Sequence, residues 1–338
     1  MKLVKTEDAV GMVLCHDMTE IIPGVKKGAA FRKGHIVTEE DIPHLLDIGK
    51  RHLYVWDLQD GYVHEDDAAR RMAKAVCGAH ISGGVPSEGK INLKADCDGI
   101  LKINREAVYA LCQDEEICLA TIRPDRLIRK GKLIAGTRVI PLAVKETVVQ
   151  RFEAICSRYA PVMEIVPLKP AKIGIVITGS EIQSGRIKDG FGDVLRAKAK
   201  ETGAQVIGQV LAGDDAEDIA QAIRDFIAQG ATLVEVTGGM SVDPDDRTPA
   251  AIRLVAEPVS YGAPVLPGAM FMVAYAGDVP VVGLPGCVMF AKRTIFDLIV
   301  PRLLAGERIT RQDIIAQAVG GLCESCEICT YPACGFGG

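Results

Sequence analysis

Three short glycine-containing loops carry the residue types that can bind a phosphorylated ligand. Each loop directly follows a run of apolar, β-branched residues, as expected at the end of a buried strand. Glycine lets backbone N–H groups approach an anion closely, and the N-terminus of a following helix favours negative charge. The sequence therefore predicts a phosphate-binding pocket built from residues 178–182, 237–241 and 283–286.

Carboxylates lie within or just beyond two of these loops. Glu181 belongs to the first loop, Asp189 follows it, and Asp246 lies beyond the second. Together with the glycine loops, these side chains describe a phosphate-binding pocket with carboxylates at its rim. A single Gly-Gly turn is most often plain loop geometry, and the acidic run 243–246 alone also suits a solvated surface or a helix cap. The presence of three such loops in one segment favours a site.

The elements around these loops alternate between strands and helices. This order predicts an α/β fold with a doubly wound, mostly parallel sheet covered by helices on both faces. Ligands bind outside the carboxyl ends of the strands in such a sheet, where all three loops fall. The best-specified helix covers residues 216–229, because Asp214 or Asp215 can cap it and Gly230 can end it. The predicted strands are 173–178, 204–210, 232–237 and 279–284, and the other predicted helices are 193–202 and 288–304.

The first half of the chain has a different pattern. Short strands punctuated by glycine between residues 83 and 144 predict a β-rich α+β domain, which also contains an amphipathic helix at 65–77. Pro161, Pro167 and Pro170 disfavour a continued helix and predict an extended linker. We therefore expect a β-rich α+β domain at residues 1–165, the α/β domain at 170–305 and a cysteine-rich tail at 306–338.

Four of the eleven cysteines lie close together near the C-terminus. Two residues separate Cys323 from Cys326 and Cys326 from Cys329, and Cys334 follows after four more. This spacing is similar to iron–sulfur ligation and also suits a tetrahedral zinc site. A flexible tail with idle thiols and a role in transferring sulfur or metal are the alternatives. Cys287 stands apart at a predicted helix N-terminus, where the pKa of a thiol falls, although a structural role is favoured.

The overall composition disfavours some classes of function. The formal net charge is −5 and the chain has no basic block or basic stripe with interleaved aromatic residues, so no nucleic-acid partner is expected. No apolar run approaches the roughly 18 residues of a membrane-spanning helix, so no membrane partner is expected and the cytoplasm is the expected location. The six histidines show no ligand spacing with each other, which favours surface or packing roles.

At its three loops the chain resembles the molybdopterin-binding family of the MoeA/MogA type, and within it the molybdopterin molybdenumtransferases. The motifs are Thr178-Gly179-Ser180-Glu181-Ile182, Gly238-Gly239-Met240-Ser241 with Asp246 and Thr248, and Gly283-Leu284-Pro285-Gly286. The resemblance covers roughly residues 170–305. It implies that molybdopterin or adenylylated molybdopterin is held by Thr178, Gly179, Ser180, Gly238, Gly239, Ser241, Pro285 and Gly286, with Glu181, Asp189 and Asp246 as catalytic acidic positions.

The activity that the resemblance implies is the joining of molybdate to the pterin dithiolene with release of AMP, with Mg²⁺ as cofactor. The chain departs from the family pattern in two places: Leu266 stands where a lysine usually precedes a Pro-Gly turn, and Cys287-Val288 replaces Asn-Pro. Loss of a basic side chain favours an alternative function, a carrier or chaperone that delivers the cofactor to an apo-molybdoenzyme through the cysteine tail. An adenylyltransferase of the MogA kind is a weaker alternative. The resemblance also implies a homodimer.

Overall fold

The computed structural model describes residues 2–22, 24, 26–56 and 61–338. Its internal contacts divide the chain into two compact units. The first unit consists of residues 1–96, 103–122 and 130–164, and the second of residues 97–102, 123–129 and 165–338. The boundary at residue 165 lies within the linker region predicted from the sequence. The second unit also contains two short segments from the first half of the chain and the whole cysteine tail.

Strands and helices both occur throughout the described part of the chain. The strands are β1 (Lys2–Lys5), β2 (Met18–Ile22), β3 (Lys26–Phe31), β4 (His52–Val55), β5 (Tyr62–His64), β6 (Ile81–Gly83), β7 (Lys90–Ala95), β8 (Gly99–Ile103), β9 (Ile117–Thr121), β10 (Leu127–Ile128), β11 (Leu133–Val139), β12 (Ala143–Lys145), β13 (Met163–Pro167), β14 (Lys172–Thr178), β15 (Gln205–Ala212), β16 (Leu233–Thr237), β17 (Glu257–Tyr261), β18 (Met272–Ala276) and β19 (Val279–Leu284). The helices are α1 (Asp41–Asp47), α2 (Glu65–Val76), α3 (Arg105–Leu111), α4 (Glu146–Arg158), α5 (Ser180–Gln183), α6 (Phe191–Thr202), α7 (Ala216–Ala228), α8 (Thr248–Val255), α9 (Ile295–Leu304) and α10 (Arg311–Ile315).

A six-stranded sheet forms the centre of the second unit. Its order is β15-β14-β16-β19-β18-β17, in which the first four strands are parallel and the last two antiparallel. One face is covered by α6 and α9 and the other by α7 and α8, each with its own buried apolar cluster. This arrangement confirms the predicted doubly wound, mostly parallel α/β fold. No helix in the described part of the chain is long and apolar enough to cross a membrane.

Helix α7 forms as the sequence predicts. The Asp215 carboxylate accepts hydrogen bonds from the backbone N–H groups of Glu217 and Asp218 at 2.9 and 3.2 Å, which satisfies two donors of the first turn. Phe226 lies on the buried stripe of the helix and packs over Gly174 of β14, where a Cβ atom would overlap its ring. The small residue therefore lets the helix lie close to the sheet.

The last long helix begins later than predicted. Residues 286–289 form a short 3-10 helix, and α9 begins only at Ile295 rather than at Val288. Thr294 and Asp297 form a reciprocal capping box that fixes this start, a T-x-x-D pattern that is readable in the sequence. Strands β17 and β18 at the antiparallel edge were also not predicted from the sequence.

The first unit is β-rich, as predicted, with short antiparallel sheets and helices. Its largest sheet has the order β6-β7-β11-β9, and α2 and α4 pack in the same unit. Helix α3 was not predicted, although Asn104 caps it through a hydrogen bond from the Ala107 N–H at 3.1 Å. Within the predicted extended linker, α4 continues to Arg158 and residues 163–167 form strand β13.

His64 shows the packing role expected for the histidines. Its side chain is buried, and Nε2 donates to the backbone carbonyl of Cys15 at 2.6 Å. Nδ1 accepts from the Asp66 N–H at 3.2 Å and from Lys33 Nζ at 2.9 Å, so the ring is neutral in this arrangement. Burial also lowers the pKa of His64.

Candidate functional site

The three glycine loops meet at the carboxyl edge of the parallel strands. They enclose a cavity of about 750 Å³, and the residues that line it come from the ends of β14, β16 and β19 and from the segments that follow. All eight residues predicted to hold the pterin line this cavity: Thr178, Gly179, Ser180, Gly238, Gly239, Ser241, Pro285 and Gly286. Residues that were not predicted as binding or catalytic positions also line it, namely Ile182, Phe191, Asp214, Met240, Asp243, Pro244, Asp245 and Met270.

A chain of hydroxyl groups joins the first two loops beside the cavity. The Thr248 hydroxyl donates to the Gly238 carbonyl at 2.7 Å and lies 3.1 Å from the Thr178 hydroxyl. Because Thr248 has one proton to donate, the Thr178 hydroxyl is the donor in their shared hydrogen bond. Gly238 has a φ of +92°, and a Cβ there would overlap the carbonyl oxygen of Thr178. The close approach of the two loops therefore requires glycine at this position.

The first loop is flanked by two carboxylates. The Ser180 N–H donates to the Asp214 carboxylate at 3.0 Å, which fixes the start of α5 against the end of β15. The Glu181 carboxylate lies back over Gly179, 2.8 Å from the position that a Cβ of that residue would take. Both acidic groups line the cavity.

The second loop is fixed by its own backbone and by a tyrosine. The Asp243 N–H donates to the Asp246 carboxylate at 3.3 Å, which closes the acidic turn. The hydroxyl of Tyr261, on edge strand β17, donates to the carbonyl of Met240 at 3.0 Å. The loop is therefore anchored to the sheet at one end and folded on itself at the other.

The cavity is lined by acidic side chains and, within the described residues, by no lysine or arginine. A phosphorylated ligand would therefore need a cation to offset the like charges. No three Asp, Glu, His or Cys side chains among the described residues converge on one metal position. Mg²⁺ is usually held by one or two carboxylates together with substrate phosphates and water, so this donor set fits it. The acidic lining residues are Glu181, Asp214, Asp243, Asp245 and Asp246.

Asp189 differs from the other two predicted catalytic acids because it does not line the cavity in the described structure. Its carboxylate accepts hydrogen bonds from the N–H groups of Phe191 and Gly192 at 2.7 and 3.2 Å, at the start of α6. It also accepts from the Gln209 side chain at 2.8 Å. These contacts assign Asp189 a helix-anchoring position, whereas Asp214, which was not predicted as a site residue, lies in the cavity wall.

A fully buried carboxyl group lies on one of the strands that lead to the site. Glu235 is on β16, two residues before the end of the strand, and neither of its carboxyl oxygens has a hydrogen-bond partner. Burial raises the pKa of Glu235 to about 8, partly offset by the charge of Lys198. The Lys198 ammonium itself is paired with the Asp297 carboxylate, at 2.9 and 3.0 Å from its two oxygens. Glu235 is therefore neutral near pH 7.

Cys287 does not have the lowered pKa that its position suggested. Burial raises the pKa of the Cys287 thiol, and the element that follows is a 3-10 helix of four residues. Desolvation of the thiolate thus outweighs the backbone hydrogen bond that lowers the pKa of this group. The activated thiolate considered for Cys287 is wrong, and the structural role is favoured.

The sheet, its two helical layers and the cavity at the carboxyl edge define the class of this unit, a doubly wound α/β ligand-binding domain. Residues 174–305 match the family model described as a probable molybdopterin binding domain. This match identifies the segment as a probable molybdopterin-binding domain, in agreement with the resemblance found in the three loops. Residues 3–57 match a second family model, described as a domain of unknown function (DUF8806).

The curated relatives that match are similar over a short stretch. A CinA-like protein from Mycobacterium sp. (strain MCS) is 33% identical over 82 residues, which is 24% of this chain and 20% of the relative. A CinA-like protein from Mycobacterium avium (strain 104) is 33% identical over 78 residues, 23% of this chain and 18% of the relative. The chain thus spans about a fifth of the length of the curated relatives it matches.

Solved structures with a similar arrangement include two proteins named for molybdopterin biosynthesis. The MoaB enzyme from Thermus thermophilus has a TM-score of 0.36 and 20% identity, over 40% of this chain and 98% of that chain. The MoeA protein from Pyrococcus horikoshii has a TM-score of 0.35 and 16% identity, over 90% of this chain and 74% of that chain.

Proposed function

We propose that the protein binds adenylylated molybdopterin in the three-loop cavity and joins molybdate to its dithiolene with release of AMP. The observation that carries the proposal is the convergence of all eight pterin-binding positions, together with Glu181 and Asp246, around one cavity of about 750 Å³. In this proposal the N–H groups of the glycine loops bind the phosphates. The hydroxyl chain beside them keeps the loops in place.

Mg²⁺ would be held against the phosphates by Glu181 and Asp246 and would supply Lewis-acid polarisation of the phosphate oxygens. The Asp246 carboxylate is oriented for this task by the hydrogen bond from the Asp243 N–H. The chain's own residues would bind and orient the phosphates, so that water cleaves the phosphoanhydride bond, AMP leaves and the pterin keeps its terminal phosphate. The two dithiolene sulfurs would replace one oxo group of molybdate, which leaves as water with the two thiol protons. The expected cytoplasmic location, the homodimer and the apo-molybdoenzyme partner are further parts of this proposal.

A second candidate function is a carrier that presents the cofactor to a molybdoenzyme. Two observations favour it: the lining of the cavity contains no basic side chain among the described residues, and the cysteine tail belongs to the same compact unit. A carrier needs tight and reversible binding, whereas the transferase must also stabilise charge that develops during cleavage. The two functions therefore differ in turnover and not in ligand.

The test is to incubate the full chain with adenylylated molybdopterin, Mg²⁺ and molybdate and to follow AMP release against a reaction without molybdate. For a transferase we expect molybdate-dependent AMP release that falls at least about a hundredfold in Asp246→Asn, as for loss of a charge-organising group. Asp225→Asn, on an exposed face of α7, is the matched control and should behave as the natural protein. Tight binding of the pterin without AMP release would reject the transferase and support the carrier.

A further inference from the structure

The cysteine-rich tail is a folded part of the second unit. Leu322 forms a parallel bridge with Leu266, and the Cys323 N–H donates to the Leu266 carbonyl at 2.8 Å. The Tyr331 hydroxyl donates to the Asp297 carbonyl at 3.0 Å, and Phe336 is buried. These contacts fix the tail on the α/β domain at both ends, so a flexible tail with idle thiols does not describe it.

All four tail cysteines line a single cavity. Its volume is about 460 Å³, and Pro267, Leu322, Tyr331 and Phe336 contribute apolar surface to its wall. Cys323 and Cys334 are half-buried, whereas Cys326 and Cys329 are exposed. The thiols therefore surround a space that is partly shielded from water and open on one side. The four cysteines are Cys323, Cys326, Cys329 and Cys334.

Cationic side chains accompany these thiols. Lys292 and Arg293 line the cavity, and Lys292 Nζ donates to the carbonyl of Glu327, between the second and third cysteines. Arg126 lies close enough to Cys334 and Tyr331 for their charges to act on it, and two of its guanidinium nitrogens are buried without a hydrogen-bond partner. Buried N–H donors without an acceptor are costly, so this region is suited to an anionic group that accepts hydrogen bonds.

We propose that this cavity binds a [4Fe–4S] cluster through Cys323, Cys326, Cys329 and Cys334. A single zinc ion would hold every sulfur at about 2.3 Å from one point, whereas the four cysteines here surround a cavity of about 460 Å³, which suits a larger group. In a four-iron cluster each thiolate binds a different iron, so the ligands surround the group. Four thiolates also give the bound cluster a net negative charge. Lys292 and Arg126 can offset it, whereas Arg293 is already paired with Asp297 at 2.8 Å and Glu201 at 3.0 Å. The sulfides of the cluster can accept the unpaired N–H groups of Arg126.

One short segment of chain contributes to the lining of both the pterin cavity and the tail cavity. Pro285 and Gly286 line the pterin cavity, and residues 290–293 line the tail cavity. The two positions at which the chain departs from the family pattern, Leu266 and Cys287, belong to the segments that carry or adjoin the tail contacts. The proposal itself does not depend on the transferase activity.

The test is anaerobic reconstitution of the full chain with iron and sulfide, followed by analysis of both elements and by electron paramagnetic resonance after reduction. We expect about four iron and four sulfide per chain and the signal of a reduced four-iron cluster. Cys326→Ser should remove most of the iron, and because this side chain is exposed the fold should be kept, as circular dichroism can verify. Cys112→Ser is the control, since Cys112 is also exposed but lies in the other unit.

Three results would overturn the proposal. One is the binding of one zinc per chain without sulfide after the same treatment with zinc present. Another is the absence of bound iron. The last is iron that Cys326→Ser and Cys112→Ser retain equally. None of these measurements uses the pterin, so they are independent of the outcome of the AMP-release experiment.

Discussion

The hydroxyl oxygens of Thr178 and Thr248 lie 3.1 Å apart, and the second hydroxyl continues to the Gly238 carbonyl at 2.7 Å. Both threonines are buried, so water cannot replace either partner. This hydrogen-bonded pair connects the end of β14 to the start of α8. Through the Gly238 carbonyl it also fixes the loop that follows β16. The geometry of the ligand cavity therefore depends on two side-chain hydroxyl groups in addition to the glycines.

The first prediction concerns Thr248→Val. This substitution keeps the shape of the side chain but leaves the Gly238 carbonyl and the Thr178 hydroxyl without partners. We expect the free energy of unfolding to fall by about 1–3 kcal/mol, measured by urea denaturation. Thr248→Ser restores the hydroxyl and should recover most of the loss. Equal stability of the valine and serine variants would contradict the role of the hydroxyl chain.

The second prediction compares two glycines of the cavity. Gly238→Ala should lower the melting temperature and abolish pterin binding, because its φ is positive and the new methyl group would overlap the Thr178 carbonyl. At Gly286 a Cβ meets no atom within 4 Å, so Gly286→Ala should keep the melting temperature. Thermal unfolding and pterin titration of both variants check this. A loss of stability in Gly286→Ala equal to that in Gly238→Ala would contradict the argument.

The loops could be predicted from the sequence because local signals specify them. Apolar β-branched runs followed by glycine indicate strand ends, and a parallel sheet necessarily brings those ends to one edge. Asp214 was missed because its contact with Ser180 depends on β15 lying beside β14, a long-range pairing that local pattern does not encode. The prediction of Asp189 in the site rests on its position after the first loop and on the resemblance, whereas in the structure its carboxylate accepts the Phe191 N–H at the start of α6.

Other elements were missed for different physical reasons. The capping box at Thr294 and Asp297 marks the start of α9, but the residues from Val288 onward also fit a helix, so the sequence pattern predicts too early a start. Strands β17 and β18 pair with a bulge and have no short turn between them, so nothing local marks them as a hairpin. The arrangement of the cysteine tail depends on the bridge from Leu322 to Leu266, which is also long-range.

The third prediction concerns Mg²⁺. Because the lining of the cavity is acidic and contains no basic side chain among the described residues, adenylylated molybdopterin should bind weakly without a divalent cation. We expect Mg²⁺ to tighten binding at least tenfold, measured by calorimetric titration at constant ionic strength. Asp246→Asn should reduce this enhancement and Asp225→Asn should not. Binding that is equally tight with and without Mg²⁺ would exclude the proposed arrangement of carboxylates and phosphates.

The fourth prediction follows from the pKa of Glu235, which burial raises to about 8 from an ordinary value of 4.5. Between pH 4.5 and 8 the native state therefore binds one more proton than the unfolded state. The free energy of unfolding should fall as pH rises through this range, with a limiting slope of about 1.4 kcal/mol per pH unit. Glu235→Gln cannot titrate and should remove this contribution. Urea unfolding of both proteins at pH 5, 6.5 and 8 measures the difference, and parallel profiles would contradict the prediction.

The fifth prediction concerns the reduction potential of the proposed cluster. Arg126 is close enough to Cys334 for their charges to interact, and two of its guanidinium nitrogens are buried without a hydrogen-bond partner. A poorly solvated cation stabilises the reduced cluster, because that form carries one more electron. Arg126→Met should therefore make the reduction potential more negative, as followed by a redox titration with electron paramagnetic resonance.

Arg129→Met is the matched control for this last prediction. It removes the same charge from the same segment, but Arg129 is exposed and paired with Asp98 at 2.7 Å. Water screens such a charge, so its removal should move the potential much less. Equal shifts in both variants would mean that only the net charge of the protein matters. No shift in Arg126→Met would place the cluster away from this guanidinium, and the unpaired nitrogens of Arg126 would then need another acceptor.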